Sequence, residues 1–181
     1  MNLYPNTCYH IYNRTINNEP LFRERENFRF FLTKYRQYCT PFLSTLAYCL
    51  MPTHFHFLVY IHWEETAILQ KNIGIMLSSY TQAYNKRYGR HGNLFQASTK
   101  AKPVSNTAYL ATVAAYIHNN PLRSRLVQSP EEWEFSSYRD YCGVREGTLP
   151  DKSLIMATFQ DVEAFREFSR SVVKIDAGLW V

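Results

Sequence analysis

Long apolar runs, export signals and metal-type cysteine spacings are all missing from this 181-residue chain. No stretch approaches the roughly 18 uninterrupted apolar residues that a membrane helix needs. The opening Met1-Asn2-Leu3-Tyr4-Pro5 has neither a basic n-region nor an apolar h-region, so a cytoplasmic protein with no membrane partner is expected. Cys8, Cys39, Cys49 and Cys142 lack the spacing of a zinc site and read as ordinary buried thiols. There is no internal repeat and no low-complexity linker. Charged residues are scarce at 19% while aromatics reach 16%, a balance that excludes a disordered chain. The length fits one domain, or one domain with a small appendage.

Acidic residues are the most telling shortage. The net charge of +5 is modest, but its distribution is not even. From Asn27 to Pro130 the only acidic residues are Glu64 and Glu65, and from Thr66 onward in that span there is none. Lys71, Lys86, Arg87, Arg90, Lys100, Lys102, Arg123 and Arg125 all fall there, interleaved with Tyr80, Tyr84, Tyr88, His91 and Phe95. A solvated basic face is the usual meaning of scattered charges. Cations mixed with aromatic faces also suit a groove that follows phosphates and stacks unpaired bases. Beyond Pro130 the balance reverses with Glu131, Glu132, Glu134, Asp140, Glu146 and Asp151.

The periodicity is that of an α+β chain. Cys8 to Arg14 alternates as a strand, and Arg23 to Tyr38 places Phe28, Phe31, Leu32, Tyr35 and Tyr38 at helical steps. Leu43 to Leu50 and Phe55 to Ile61 form a hairpin around Met51-Pro52-Thr53. Thr66 to Arg87 is a longer helix, and Leu94 to Val104 holds another strand. A third helix runs from Thr107 to about Asn119, capped by Ser105 or Asn106 and stopped before Pro121. The order predicts a ferredoxin-like antiparallel sheet with helices on one face. Short helices are expected at Leu154 to Phe159 and Val162 to Val172, so residues 1–142 form the domain and 143–181 a helical extension packed on it.

Two local patterns carry chemistry. In Thr53-His54-Phe55-His56-Phe57, strand alternation sends His54 and His56 to one face and the phenylalanines to the other. Two imidazoles so placed suit a shared metal ion, although such a pair alone is more often two exposed strand histidines. On the third helix, Asn120 lies four residues after Tyr116 and therefore over the same face. That pair alone reads as a core aromatic and a helix-terminal amide.

Taken together, Tyr9-His10-Ile11-Tyr12-Asn13-Arg14, Met51 to Val59, Gly92-Asn93-Leu94-Phe95-Gln96, Tyr116 to Arg123 and Trp133-Glu134-Phe135-Ser136-Ser137-Tyr138 resemble the single-tyrosine HUH transposases. Within them the chain is most similar to the REP-associated tyrosine transposases of bacteria. The resemblance spans roughly Tyr4 to Tyr141. It implies a domain that cuts and rejoins single-stranded DNA beside hairpins, as a monomer or homodimer associated with the nucleoid when bound to DNA. It implies Tyr116 as the nucleophile, His54, His56 and Asn120 as ligands of Mg²⁺ or Mn²⁺, and a 5′-phosphotyrosine product with a free 3′-OH. Because Pro121 disturbs the backbone before it, Asn119 is the alternative ligand. Arg14, Lys71, Lys86, Arg87, Arg90, Lys100, Lys102 and Arg123 are the expected DNA contacts. One departure concerns Ala97-Ser98-Thr99-Lys100, where the group often has Gly-Arg-aromatic-Lys, so only Lys100 carries over there. His10 reads as a structural histidine or a support behind the ligands, and His118 is expected to face away from Tyr116. A non-catalytic binder of structured nucleic acid, or a metal nuclease that activates water, would share the charge pattern.

Overall fold

The computed structural model describes residues 1–104 and 106–172. Four antiparallel strands form one sheet in the order β2-β3-β1-β4. They are β1 (Thr7–Arg14), β2 (Leu43–Met51), β3 (His54–Ile61) and β4 (Lys100–Val104). Pro52 and Thr53 alone connect β2 to β3, and their carbonyls accept backbone N–H groups from Leu21, Phe22 and Thr15. β4 is an edge strand, which is why it tolerates Pro103.

Alternation gives the sheet two apolar faces. Tyr9, Ile11, Tyr48, Leu50, Phe55, Phe57, Val59 and Ile61 enter one core with α1 (Arg25–Tyr38) and α2 (Thr66–Tyr88). The first helix starts two residues later than the sequence predicts, because Glu24 and Asn27 form a reciprocal capping box. The second ends at Gly89, whose φ of 61° is the left-handed conformation that closes a helix without a Cβ penalty. Phe28 stacks on Phe135 at 4.0 Å, joining α1 to the chain segment beyond the basic body.

The opposite face is covered too, which corrects the expectation of helices on one side only. Leu46, Ala47, Cys49, Met51, Leu58 and Val104 pack against α3 (Thr107–His118). Behind α3 come α5 (Tyr138–Tyr141), α6 (Ser153–Met156) and α7 (Val162–Val172), contributing Tyr141, Ile155, Phe165 and Val172 to the same core. A sheet with apolar residues on both faces needs a layer on each.

The strand expected from Leu94 to Val104 is shorter than its pattern. Leu94 and Phe95 are drawn into the α1–α2 core, while Lys100–Val104 forms the ladder with β1 and Gln96 adds one N–H bond to the Arg14 carbonyl. The Asn13 amide donates to the Gln96 carbonyl and the Thr99 hydroxyl, holding the intervening loop against the end of β1. Among the described residues no helix is long and apolar enough to cross a membrane.

Candidate active site

Strand register assembles the site before any helix is considered. His54 pairs with Arg14 on β1 and His56 with Tyr12, while Tyr12 and His10 face Lys100 and Lys102 on β4. Directly opposed residues share a face. His54, His56, His10, Tyr12, Arg14, Lys100 and Lys102 therefore form one polar strip across three strands. It interrupts the apolar surface that α3 covers.

α3 lays Tyr116 across this strip. Its ring centroid is 6.2 Å from that of His56 and 6.3 Å from that of His10, with both ring pairs near perpendicular. His54 and His56 are themselves 5.0 Å apart between centroids. A cavity of about 190 Å³ is lined by Tyr12, Asn13, Arg14, His54, His56, Tyr116 and Asn120. Grooves of about 620 and 570 Å³ run along α2 and contain none of these imidazoles. Size alone does not locate the chemistry.

Asn120 opens the short helix α4 (Asn120–Arg123), with Pro121 in its first turn. Its amide nitrogen donates to the carbonyls of Tyr116 and Ile117. Since a carbonyl can be met only by the NH₂ end, Oδ1 is left as the end available for a ligand. Asn119 is spent elsewhere, its amide donating to the carbonyls of Ala115 and Ser169 on the α7 side. Of the two asparagines only Asn120 lines the cavity.

The imidazoles are arranged in the same way. Nδ1 of His54 lies 3.1 Å from the Thr53 hydroxyl, and Nδ1 of His56 lies 2.9 Å from Nε2 of His10. Each Nδ1 is occupied, so Nε2 is the nitrogen left for a ligand on both rings. Burial, aided by the cation of Arg14, lowers His54 to about 4. Burial pushes His56 well below the ordinary imidazole value, with His10, His54 and Arg14 adding to the shift. Burial, then Lys102, lowers His10 to about 3. Neutral rings keep the lone pairs that a metal ion requires.

Two imidazole nitrogens and an amide oxygen fit a divalent cation, with no thiolate to close the site and room for oxygen ligands from a substrate. Among the described residues no three His, Cys, Asp or Glu side chains gather to hold a metal, so a third side-chain donor beside the two imidazoles would be the Asn120 amide. Burial holds the Tyr116 phenol above its ordinary value, against the opposing pull of Arg123. The Arg123 guanidinium sits 5.5 Å from the Tyr116 ring centroid.

The expected DNA contacts divide into two groups. Arg14 lines the cavity, Lys100 is the strand partner of Tyr12, the Lys102 ammonium lies 5.8 Å from the Tyr12 ring and Arg123 lies over Tyr116. Lys71, Lys86, Arg87 and Arg90 lie on α2 or just beyond it, in the other helical layer. Arg87 is paired with Glu24. Arg90 binds both Glu19 oxygens, the Asn85 side chain and the carbonyls of His91, Gly92 and Asn93, so it shapes the loop after α2.

Two side-chain contacts are not visible in the sequence motifs, although His118 faces away from Tyr116 as expected. His10 meets His56 only through the diagonal geometry of the β1–β3 pair, although its alternation with Tyr12 and Arg14 does put it on the right face. His118 faces away from the cavity, and its Nε2 lies 2.7 Å from the Ser137 hydroxyl. That contact ties α3 to the segment bordering β2.

A family model described as "Transposase IS200 like" matches residues 4–120. No curated protein matches the chain. The fold is similar to a solved structure described as "Structure of the REP associates tyrosine transposase bound to a REP hairpin". That similarity has a TM-score of 0.62 at 14% identity and covers 83% of this chain and 95% of the other. The strand and helix arrangement is thus shared.

Proposed function

Since this chain belongs to the family of IS200-like transposases, we propose that it is a metal-dependent endonuclease and strand transferase acting on single-stranded DNA beside hairpins, in the manner of the REP-associated group. The observation that carries this reading is the single cavity joining Tyr116 to His54, His56 and Asn120. The structural relative bound to a REP hairpin supports hairpin DNA as the substrate.

Tyr116 attacks the scissile phosphorus through its phenolic oxygen. The bond to the 3′ oxygen breaks and the phenol's proton passes to solvent. The departing 3′ oxygen takes up a proton, leaving a 5′-phosphotyrosine and a free 3′-OH. Because one phosphoester replaces another, a later 3′-OH can reverse the step without an energy source. His54, His56 and Asn120 would hold Mg²⁺ or Mn²⁺, which supplies positive charge to the phosphate oxygens.

A phenol is a poor nucleophile while protonated, and burial strengthens that tendency at Tyr116. Arg123 offsets it by favouring the phenolate. Arg14, Lys100 and Lys102 offer cations to the flanking backbone, and the half-buried Tyr12 ring offers a face for an unpaired base.

The test mixes protein, Mn²⁺ and end-labelled single strands carrying hairpins from beside the gene, followed by denaturing gels. Wild type is expected to give a protein-linked product. Tyr116→Phe should give none, and His56→Ala should reduce it by more than about 100-fold. Cleavage that persists in Tyr116→Phe without an adduct would instead indicate a water-activating nuclease.

A further inference from the structure

We propose that His10 is a positioning residue that selects the tautomer of His56 able to face a cation. The inference rests on reading His56 as a ligand. Nε2 of His10 and Nδ1 of His56 are 2.9 Å apart. One hydrogen lies between two neutral ring nitrogens at that distance, and its owner decides what the far side of His56 can do. If it belongs to His10, then His56 carries its own proton on Nε2 and presents a donor to the cavity. If it belongs to His56, then Nε2 of His56 presents a lone pair. Only the second arrangement accepts a cation.

The structure restricts how this contact can rearrange. His10 is fully buried and His56 nearly so, at 0% and 6% exposure. The two rings meet end to end, with centroids 5.1 Å apart and planes inclined by 27°, and the Tyr12 ring stacks on His10 at 4.8 Å and 28°. His10 reaches His56 diagonally, because its direct partner on β3 is Leu58. Both ring positions are therefore set by central strands of the sheet. His54 differs in meeting a hydroxyl, that of Thr53, at its Nδ1. Ligand-orienting imidazole contacts of this kind are worth about 10–100-fold in metal affinity.

The test uses the full chain in two measurements. Long-range ¹H–¹⁵N correlation spectra of the metal-free protein, with the His56 signals assigned by their loss in His56→Ala, report which nitrogen carries the proton. The expected result is a proton on Nδ1 of His56 in wild type and in His10→Gln, whose amide oxygen can replace the imidazole acceptor. Mn²⁺ titration should then give His10→Gln an affinity within about 5-fold of wild type, and His10→Phe one weakened by about 10–100-fold. Thermal unfolding of each variant separates this loss from a folding defect. If His10→Phe does not fold, the spectra of wild type and His10→Gln decide the matter. A proton on Nε2 of His56 in wild type would overturn the proposal. So would a folded His10→Phe that binds Mn²⁺ as wild type does, or folded Gln and Phe variants equally weakened. A wild type that binds no Mn²⁺ would defeat the metal reading of the site, while the metal-free spectra would still decide the role of His10.

Discussion

Asn119 and Asn120 are adjacent amides with different employment. Asn119 closes α3 and ties its end to the Ser169 carbonyl, whereas Asn120 begins α4 and lines the cavity with the imidazoles. Replacing each in turn separates the two roles. Asn120→Ala is expected to weaken Mn²⁺ binding at least about 10-fold, measured by titration, with the fold retained. Asn119→Ala should leave Mn²⁺ binding near wild type but cost about 1–2 kcal/mol in urea unfolding, through a buried carbonyl stripped of its donor. At this scale the sequence displayed the His-x-His pair and the Tyr116–Asn120 spacing, since both follow from simple periodicities. It favoured Asn120 and kept Asn119 as the alternative, because Pro121 disturbs the residue before it by an amount that periodicity does not specify. His10 was less legible still. Its contact with His56 depends on the β1–β3 register, which no local pattern records.

The helix that carries Tyr116 must also be fastened to its sheet, and α3 is held at its C-terminal end. Ser137 receives the backbone N–H of Tyr48 on β2 and meets His118 on α3, while its own N–H donates to the Tyr48 carbonyl. The Trp133 indole adds a bond to the Leu50 carbonyl. Residues 133–137 thus run along the outer edge of β2 and carry the anchor for α3. Ser137→Ala would leave the Tyr48 N–H and one His118 nitrogen without this partner in a buried setting. The expected cost is about 1–3 kcal/mol in urea unfolding, together with fewer adducts because α3 carries Tyr116. Unchanged stability would show that the anchor lies elsewhere. The elements themselves were legible from their periods, and the α+β plan with them. Two details were not. The run from Leu94 to Val104 carries no break that marks where its strand starts, and Leu94 and Phe95 are buried in the α1–α2 core instead. The second helical layer escaped because strands such as β2 are buried on both faces and show no alternation to reveal it.

Over the whole molecule, the shortage of acidic residues resolves into a division by layer. Arg14 lines the cavity and Lys100, Lys102 and Arg123 are placed against its Tyr12 and Tyr116, while Arg87 and Arg90 are matched with Glu24 and Glu19 near the helix on the far layer. The sequence showed the surplus, and the fold decides where it acts. The acidic stretch beyond Pro130 is used largely in fastening: Asp140, almost fully buried, binds Arg145 and the Gly147 N–H beside β2. Strand transfer by Tyr116 remains the claim on which the functional reading stands. The most direct measurement digests the protein–DNA adduct with protease and nuclease and locates the remaining nucleotide by mass spectrometry. The expected result is one 5′-linked nucleotide on the peptide containing Tyr116. A nucleotide on any other residue would contradict that reading, as would cleavage at the hairpin site with no linked peptide.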